Sequence, residues 1–308
     1  LTWPKPTIGI SACLLGQKVR HNGEHKRHDW LNDTLGKHVS WVPLCPEVEM
    51  GLGVPRETMR LIGTAQNPQL ITVQGKKDLT DLATQTVERI LQKEFAWDSF
   101  IFKRDSPTCG MERVKVYGKG NIPIKSGVGL FSRRVQENYP RIPMIEEGRL
   151  SDLGQRELFL IRLFAWAKFK RLPRDTKSLQ AYHQVHKLQF MAFHPQGYAK
   201  LGRFAANSTQ LPADTVFENY ELGLVGLLAG TLTAQKNINA YQHILGYFKN
   251  HLEAREKTHI LDLFRQYRSQ KLPLASLSTL FKFLIDKYSV EYLRDQTILE
   301  PYPESIIL

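Results

Sequence analysis

The sequence predicts an α/β first half, with a mainly parallel sheet flanked by helices, followed by an all-α second half. Two observations carry this. Short, small and β-branched runs alternate with a helical run up to about residue 105, whereas from about residue 150 onward apolar residues recur at helical spacing. Residues 7–12 (TIGISA) read as a strand and 39–44 (VSWVPL) as a second. Residues 79–95 place Leu79, Leu82, Ala83, Val87, Ile90 and Leu91 on one helical face, and 99–103 (SFIFK) read as a third strand. Strand, helix, strand in this order is the pattern of a crossover joining parallel strands.

Residues 139–148 (YPRIPMIEEG) hold two prolines and a glycine and read as a hinge. Helical spacing then runs through 156–170, 178–193, 196–206, 217–228, 238–257, 260–270 and 276–287, and residues 300–308 read as an extended tail on the surface. The expected domains are therefore 1–149 and 150–308. At 308 residues the chain is comfortable for two domains, and 42% hydrophobic residues suffice for a core in each. No run approaches the ~18 apolar residues of a membrane span, and residues 1–6 lack a charged-then-apolar signal pattern. The expectation is a cytoplasmic protein that avoids membranes; oligomeric state is not legible.

The formal net charge is +12, which favours a polyanionic partner such as nucleic acid. Ten Lys or Arg stand against two acids (Glu157 and Asp175) between residues 156 and 203. Lys168, Lys170, Arg171, Arg174, Lys187, Lys200 and Arg203 are candidate phosphate contacts. Phe169, Tyr182 and Tyr198 are candidate base-stacking rings, against the plain alternative that aromatics at helical spacing form core. His183 and His186 share a helix face and read as surface histidines rather than metal ligands.

The three cysteines, Cys13, Cys45 and Cys109, are too few and too widely spaced for a secreted disulfide framework. Cys13 follows the first strand, Cys45 ends the second and Cys109 lies just beyond the third. Ligand sites of open α/β sheets lie beyond the carboxyl ends of the strands, so the three loops can bring three thiols together. Thiolates select zinc, copper(I) or iron–sulfur clusters. A structural zinc wants a fourth ligand, for which His21, His25 and His28 are at hand. A 4Fe–4S cluster held by three cysteines leaves one iron open. Three unconnected buried thiols are the plain alternative.

The segments SACLLG, VRHNG, PLCPEVEMGLGVPRE and SPTCG, in this order, resemble the thiouracil desulfidase family, and more closely its tRNA 4-thiouridine desulfidase branch. FMAFHPQGYAKLGR, HILGYFKNHL and the terminal PYPE resemble the helical YbgA-like domain appended in that branch. The resemblance implies a 4Fe–4S cluster on Cys13, Cys45 and Cys109, with Glu47 of CPE and a hydroxyl, Ser106 or Thr108 of SPTC, as acid/base partners. Many family members carry serine at both hydroxyl positions. Val19 stands where many single-domain members carry an extra cysteine, so that thiol is dispensable if this chain is active.

The implied reaction removes sulfur from 4-thiouridine in tRNA, giving uridine and sulfide without net redox change. The open iron acts as Lewis acid and sulfur acceptor, and Glu47 activates water or protonates the ring. A first-turn helix carboxylate is the plain alternative for Glu47, and a turn serine that for Ser106. Asn22 and Gly23 form a strong turn dipeptide or touch the pyrimidine. Arg56 holds a phosphate or carboxylate, or forms a surface ion pair. Ser11 and Asp105, beside cysteines, bind substrate or orient loops. Free thiouracil and thiolated nucleosides or nucleotides are alternative substrates, and a zinc-stabilised RNA-binding protein without catalysis is the alternative class.

Overall fold

The computed structural model describes residues 2–206 and 210–306. The first half forms β1 (Thr7–Ser11), β2 (Ser40–Leu44), α1 (Pro46–Glu49), β3 (Met59–Gly63), β4 (Pro68–Thr72), α2 (Thr80–Leu91), β5 (Ser99–Phe102), β6 (Val114–Tyr117), β7 (Pro123–Gly127), α3 (Leu130–Asn138) and β8 (Met144–Glu146). Among the described residues eight helices follow: α4 (Leu153–Lys170), α5 (Thr176–Phe193), α6 (Pro195–Ala206), α7 (Ala213–Leu228), α8 (Ala234–Gly246), α9 (Ala254–Arg268), α10 (Leu274–Tyr288) and α11 (Glu291–Arg294). By packing, the chain divides into two compact units between Ala167 and Lys168, inside α4. None of the described helices is long and apolar enough to cross a membrane.

Strands β2, β1, β5 and β8 form, in that order, a fully parallel sheet. Its strands read as apolar runs because both faces are covered: all four residues of β5 are buried, as are Ile8 and Ile10 of β1. Phe100, Phe102 and Phe131 stack in the core on one side with Val87, Ile90 and Trp97. The order reverses at β1, which has β2 on one side and β5 on the other. That makes the carboxyl end of β1 the place where an open sheet forms a ligand crevice.

Two features depart from the sequence reading. A second, mixed sheet of β4, β3, β6 and β7 lies between the predicted elements. Its strands are four or five residues long, and several begin at proline or end at glycine, so no alternation of useful length announces them. The expected hinge at 139–148 instead supplies β8, the fourth strand of the parallel sheet. Its two prolines precede the strand, where no ladder hydrogen bond is demanded of them, and Ile145 and Glu146 are buried.

The helical unit follows its periodicity with one break. The helix expected over 238–257 is interrupted after Gly246, and α9 restarts behind a capping box in which Glu253 and Glu256 satisfy each other's backbone donors. The apolar period runs on through the break because Phe248 and Leu252 remain buried. Of the expected surface tail, residues 300–306 form no regular element, and Lys282 pairs with Glu300 and Glu304 while Ile306 is buried; residues 307 and 308 lie outside the described residues.

The expected base-stacking rings are mostly core. Phe169 and Tyr182 are buried against Phe217 and Tyr220, since a ring at core spacing gains more from burial than from exposure. Tyr198 is half-buried and stacks on His183. The two histidines face this core rather than solvent. His183 Nδ1 is 2.9 Å from the Tyr220 hydroxyl, and His186 Nδ1–H donates to the Tyr182 carbonyl at 2.8 Å.

Burial pushes His186 down to about 3 and His183 down to about 4. An unfolded histidine titrates near 6.5, so below that pH the unfolded chain takes protons that the folded one refuses. This contribution to stability is whole above pH ~6.5 and is lost as pH falls toward the folded values. From His186 alone the loss by pH 5 is about 2 kcal/mol. Thermal unfolding followed by far-UV circular dichroism will show a lower Tm at pH 5 than at pH 7.5, and His186→Phe will remove part of that slope.

Candidate functional site

Each cysteine sits where a parallel strand ends. β1 runs into a 3-10 turn, Ala12–Leu15, that carries Cys13; Cys45 follows β2 and is the N-cap of α1; and β5 leads into the loop that carries Cys109. In the sheet these strands are neighbours, with Ser11 level with Leu44 and Ile10 level with Ile101. Three adjacent strand ends span about 10 Å at the usual strand spacing. The three thiols therefore line one cavity of about 390 Å³, the size of a small-molecule site.

The turn bearing Cys109 is the most elaborately held. Ser106 Oγ accepts the backbone N–H of Cys109 at 3.0 Å and of Thr108 at 3.3 Å. The start of α3 adds Leu130 N–H to the Pro107 carbonyl and the N–H groups of Phe131 and Ser132 to the Thr108 carbonyl. Only glycine fits at two points of this contact. A Cβ on Gly129 would lie 2.5 Å from the Thr108 carbonyl oxygen, and one on Gly110 would lie 2.8 Å from that of Ser106. On the flanks, Glu146 accepts the Met111 N–H at 2.7 Å and Glu147 accepts the Arg104 N–H at 2.7 Å.

Glu47, in the first turn of α1, lines the cavity and is fixed on both carboxylate oxygens. Thr108 Oγ1 donates to Oε1 at 2.8 Å, and Arg56 Nε donates to Oε2 at 2.9 Å, with Arg56 Nη2 on the same oxygen. The Arg56 side chain is only 5% exposed and also donates to the carbonyls of Val19 and Gly53. It lines the cavity and holds a carboxylate, that of Glu47. Ser106 faces the cavity, whereas Thr108 is buried behind it.

The proton directions follow from the donor inventory. Thr108 gives its one hydrogen to Glu47, so in the 3.0 Å contact between the hydroxyls Ser106 donates to Thr108. A chain of donors thus runs from Ser106 Oγ through Thr108 Oγ1 to Glu47 Oε1.

The other predicted residues divide. Ser11 lines the cavity, but its Oγ accepts the Lys103 N–H at 2.9 Å and ties β1 to the end of β5. Asp105 lines the mouth, with a left-handed φ of 61° and an ion pair to Arg104. Asn22 and Gly23 are absent from the lining. Gly23, at φ 78°, donates its N–H to the Arg20 carbonyl, and Asn22 Oδ1 accepts from Glu24 N–H, so the pair makes a turn. The loop instead presents Arg20, His21 and Lys26 to the cavity, and the segment after β5 presents Lys103 and Arg104. The Lys and Arg residues that follow Cys13 and precede Cys109 in the sequence were the available signal for four of these five.

Burial pushes the Cys13 thiol up to about 11, with Cys45 adding to the effect, and pushes Cys45 and Cys109 up as well; the sulfurs also act on one another electrostatically. Such thiols keep their protons until a cation displaces them. Among the described residues no set of three or more His, Cys, Asp or Glu converges to hold a single metal ion, and of the three histidines considered for zinc only His21 reaches the cavity. Three soft sulfur donors spread around one cavity fit a polynuclear iron–sulfur group better than one tetrahedral ion.

Comparison with known proteins agrees with this division of the chain. Residues 8–147 match the family model described as 2-thiouracil desulfurase, and residues 187–303 match a model described as a protein of unknown function, DUF1722. The uncharacterized protein YbgA of Escherichia coli (strain K12) is 30% identical over 153 residues, which cover 48% of this chain and 90% of YbgA. A solved structure described as a 4Fe-4S-dependent thiouracil desulfidase, TudS, is 26% identical with a TM-score of 0.38, covering 50% of this chain and 98% of its own.

The Glu47–Arg56 pair is sequestered, so removing one partner strands the other. Arg56→Ala will cost about 3–5 kcal/mol in urea unfolding of the purified protein, and the double variant Glu47→Gln, Arg56→Met will recover a substantial part of it.

Proposed function

We propose, from the premise that this chain belongs to the family of Escherichia coli YbgA and carries a domain matching the 2-thiouracil desulfurase model, that it is an iron–sulfur-dependent desulfidase. It removes sulfur from a thiolated pyrimidine, in our reading 4-thiouridine within tRNA. The observation that carries the reading is that three thiols, two of them buried, line one cavity together with a carboxylate and a hydroxyl. Residues 1–149 form the desulfidase domain in this reading, and residues 150–308 are the helical domain that engages RNA.

Cys13, Cys45 and Cys109 hold a 4Fe–4S cluster. When bound, the cluster supplies an iron without a protein thiolate, a thiophilic Lewis acid for the thiocarbonyl sulfur. The chain's own residues supply the proton chemistry. In the overall reaction a C–S bond is replaced by a C–O bond: water provides the oxygen, both its protons end on the departing sulfide, and no electron is gained or lost. Glu47 Oε1 takes a proton from the attacking water, and Ser106 Oγ, which accepts the Cys109 and Thr108 N–H groups and donates to Thr108, holds the hydroxyl chain in line beside the cavity. Thr108 links the two through its hydroxyl and keeps Glu47 oriented, while Arg56 fixes the other carboxylate oxygen. Arg20, Lys26 and Arg104 give the mouth a cationic rim suited to a polyanionic substrate.

In the helical domain, Lys170, Arg171, Arg174, Lys200 and Arg203 are exposed, whereas Lys168 and Lys187 are half-buried. The exposed set contacts phosphates without reading sequence and offsets the roughly few kcal/mol needed to unstack the target base.

Protein purified without oxygen will contain iron and acid-labile sulfide in equal amounts and will release sulfide from 4-thiouridine-containing tRNA faster than from free thiouracil. Cys45→Ala will lose both cluster and activity. Glu47→Gln and Ser106→Ala will keep the cluster and lose about 10²–10⁴-fold in rate. Wild-type turnover in the Cys45→Ala chain ends the desulfidase reading; faster turnover of the free base ends the tRNA reading alone.

A further inference from the structure

Lys103 is a cavity residue held from three sides. Its backbone N–H donates to Ser11 Oγ, and its ammonium bonds both the Glu147 carboxylate and the Arg104 carbonyl. Its side chain is 20% exposed and that of Glu147 is 11% exposed. Glu147, at the end of β8, also accepts the Arg104 N–H with its second oxygen. One buried carboxylate thereby sets both the ammonium and the backbone from which the Ser106–Cys109 turn departs. Lys103 lines the same cavity as Cys13, Cys45 and Cys109, and its backbone bond to Ser11 ties it to the strand end that carries Cys13.

Three thiolates gathered in a buried cavity repel one another and lose their hydration, so a compensating cation is required close by. We infer that Lys103, aimed by Glu147, is the positioning residue that balances the negative charge of the three-cysteine site on its Cys13 side. This rests on the reading that the three cysteines hold a cluster.

Charge compensation makes a prediction that mere structural support does not, because the two members of the pair act with opposite signs. The test is the reduction potential of the cluster in anaerobically purified holoprotein, measured by dye-mediated titration. Lys103→Met removes a positive charge and will lower the potential, by roughly the 59 mV that corresponds to a tenfold change in a one-electron equilibrium. Lys103→Arg keeps the charge and will stay near the wild-type value. Glu147→Gln removes the opposing charge and will raise the potential. Equal potentials in wild type and Lys103→Met, or shifts of one sign in Lys103→Met and Glu147→Gln, overturn the inference while leaving the cluster in place. Wild-type protein that holds no cluster overturns the cluster reading and this inference with it. Should Lys103→Met not fold, the rise in Glu147→Gln decides: a rise supports the inference and no rise ends it.

Discussion

Adjacent strands of a parallel sheet end side by side on the same edge, and the site depends on that geometric fact. Cysteines separated by 31 and 63 residues meet because β2, β1 and β5 are neighbours and each is followed at once by a turn. The strands fix where the three chain segments emerge, to within a strand spacing. The turns then decide which side chains face inward. This explains why so much backbone hydrogen bonding is concentrated on residues 106–110, the one thiol-bearing segment that is neither inside a helix nor at its cap. The Ser106 hydroxyl, the first turn of α3 and the carboxylates of Glu146 and Glu147 replace the ladder that a loop lacks.

The same economy joins structure to chemistry at the hydroxyls. Ser106 Oγ is an acceptor for two backbone N–H groups and so has its hydrogen left to give, and Thr108 can give only one. With Glu47 as terminal acceptor, the order of donors has a single direction. A threonine at position 108 suits this better than an open surface role: its hydroxyl is buried between Ser106 and Glu47 while the cavity wall next to it belongs to Ser106. The two hydroxyl candidates are therefore not rivals. One faces the cavity and the other carries its connection to the carboxylate.

Much of this was legible in the sequence, and what was not has physical causes. The strands β1, β2 and β5 were visible because buried parallel strands are short continuous apolar runs, and the helices of the second half because their period is long enough to count. The second sheet escaped because its strands are too short to show alternation. β8 escaped because Pro140 and Pro143 read as punctuation, while the strand they introduce is only three residues long. At the site, cysteine position after a strand was sufficient for Cys13, Cys45 and Cys109. Asn22 and Gly23 form the turn that their dipeptide announces, and a turn signal does not say where the turn points. Lys103 and Glu147 were missed because their pairing joins the ends of two strands 44 residues apart, which no local pattern encodes.

The neighbouring acids of β8 show how stability is traded for order in this fold. Glu147 is offset by Lys103, whereas burial raises the pKa of Glu146 despite two backbone donors. A carboxyl raised in the folded state binds its proton more readily there than in the unfolded chain, so its contribution weakens as pH rises through the folded value. At neutral pH Glu146 therefore works against folding. What it secures is the backbone of Met111 and Glu112, immediately after Cys109, whose N–H groups are otherwise without a strand partner. A neutral glutamine in its place offers a weaker acceptor and relieves the desolvation cost; the retained carboxylate is consistent with a turn whose exact course matters more than the stability it consumes.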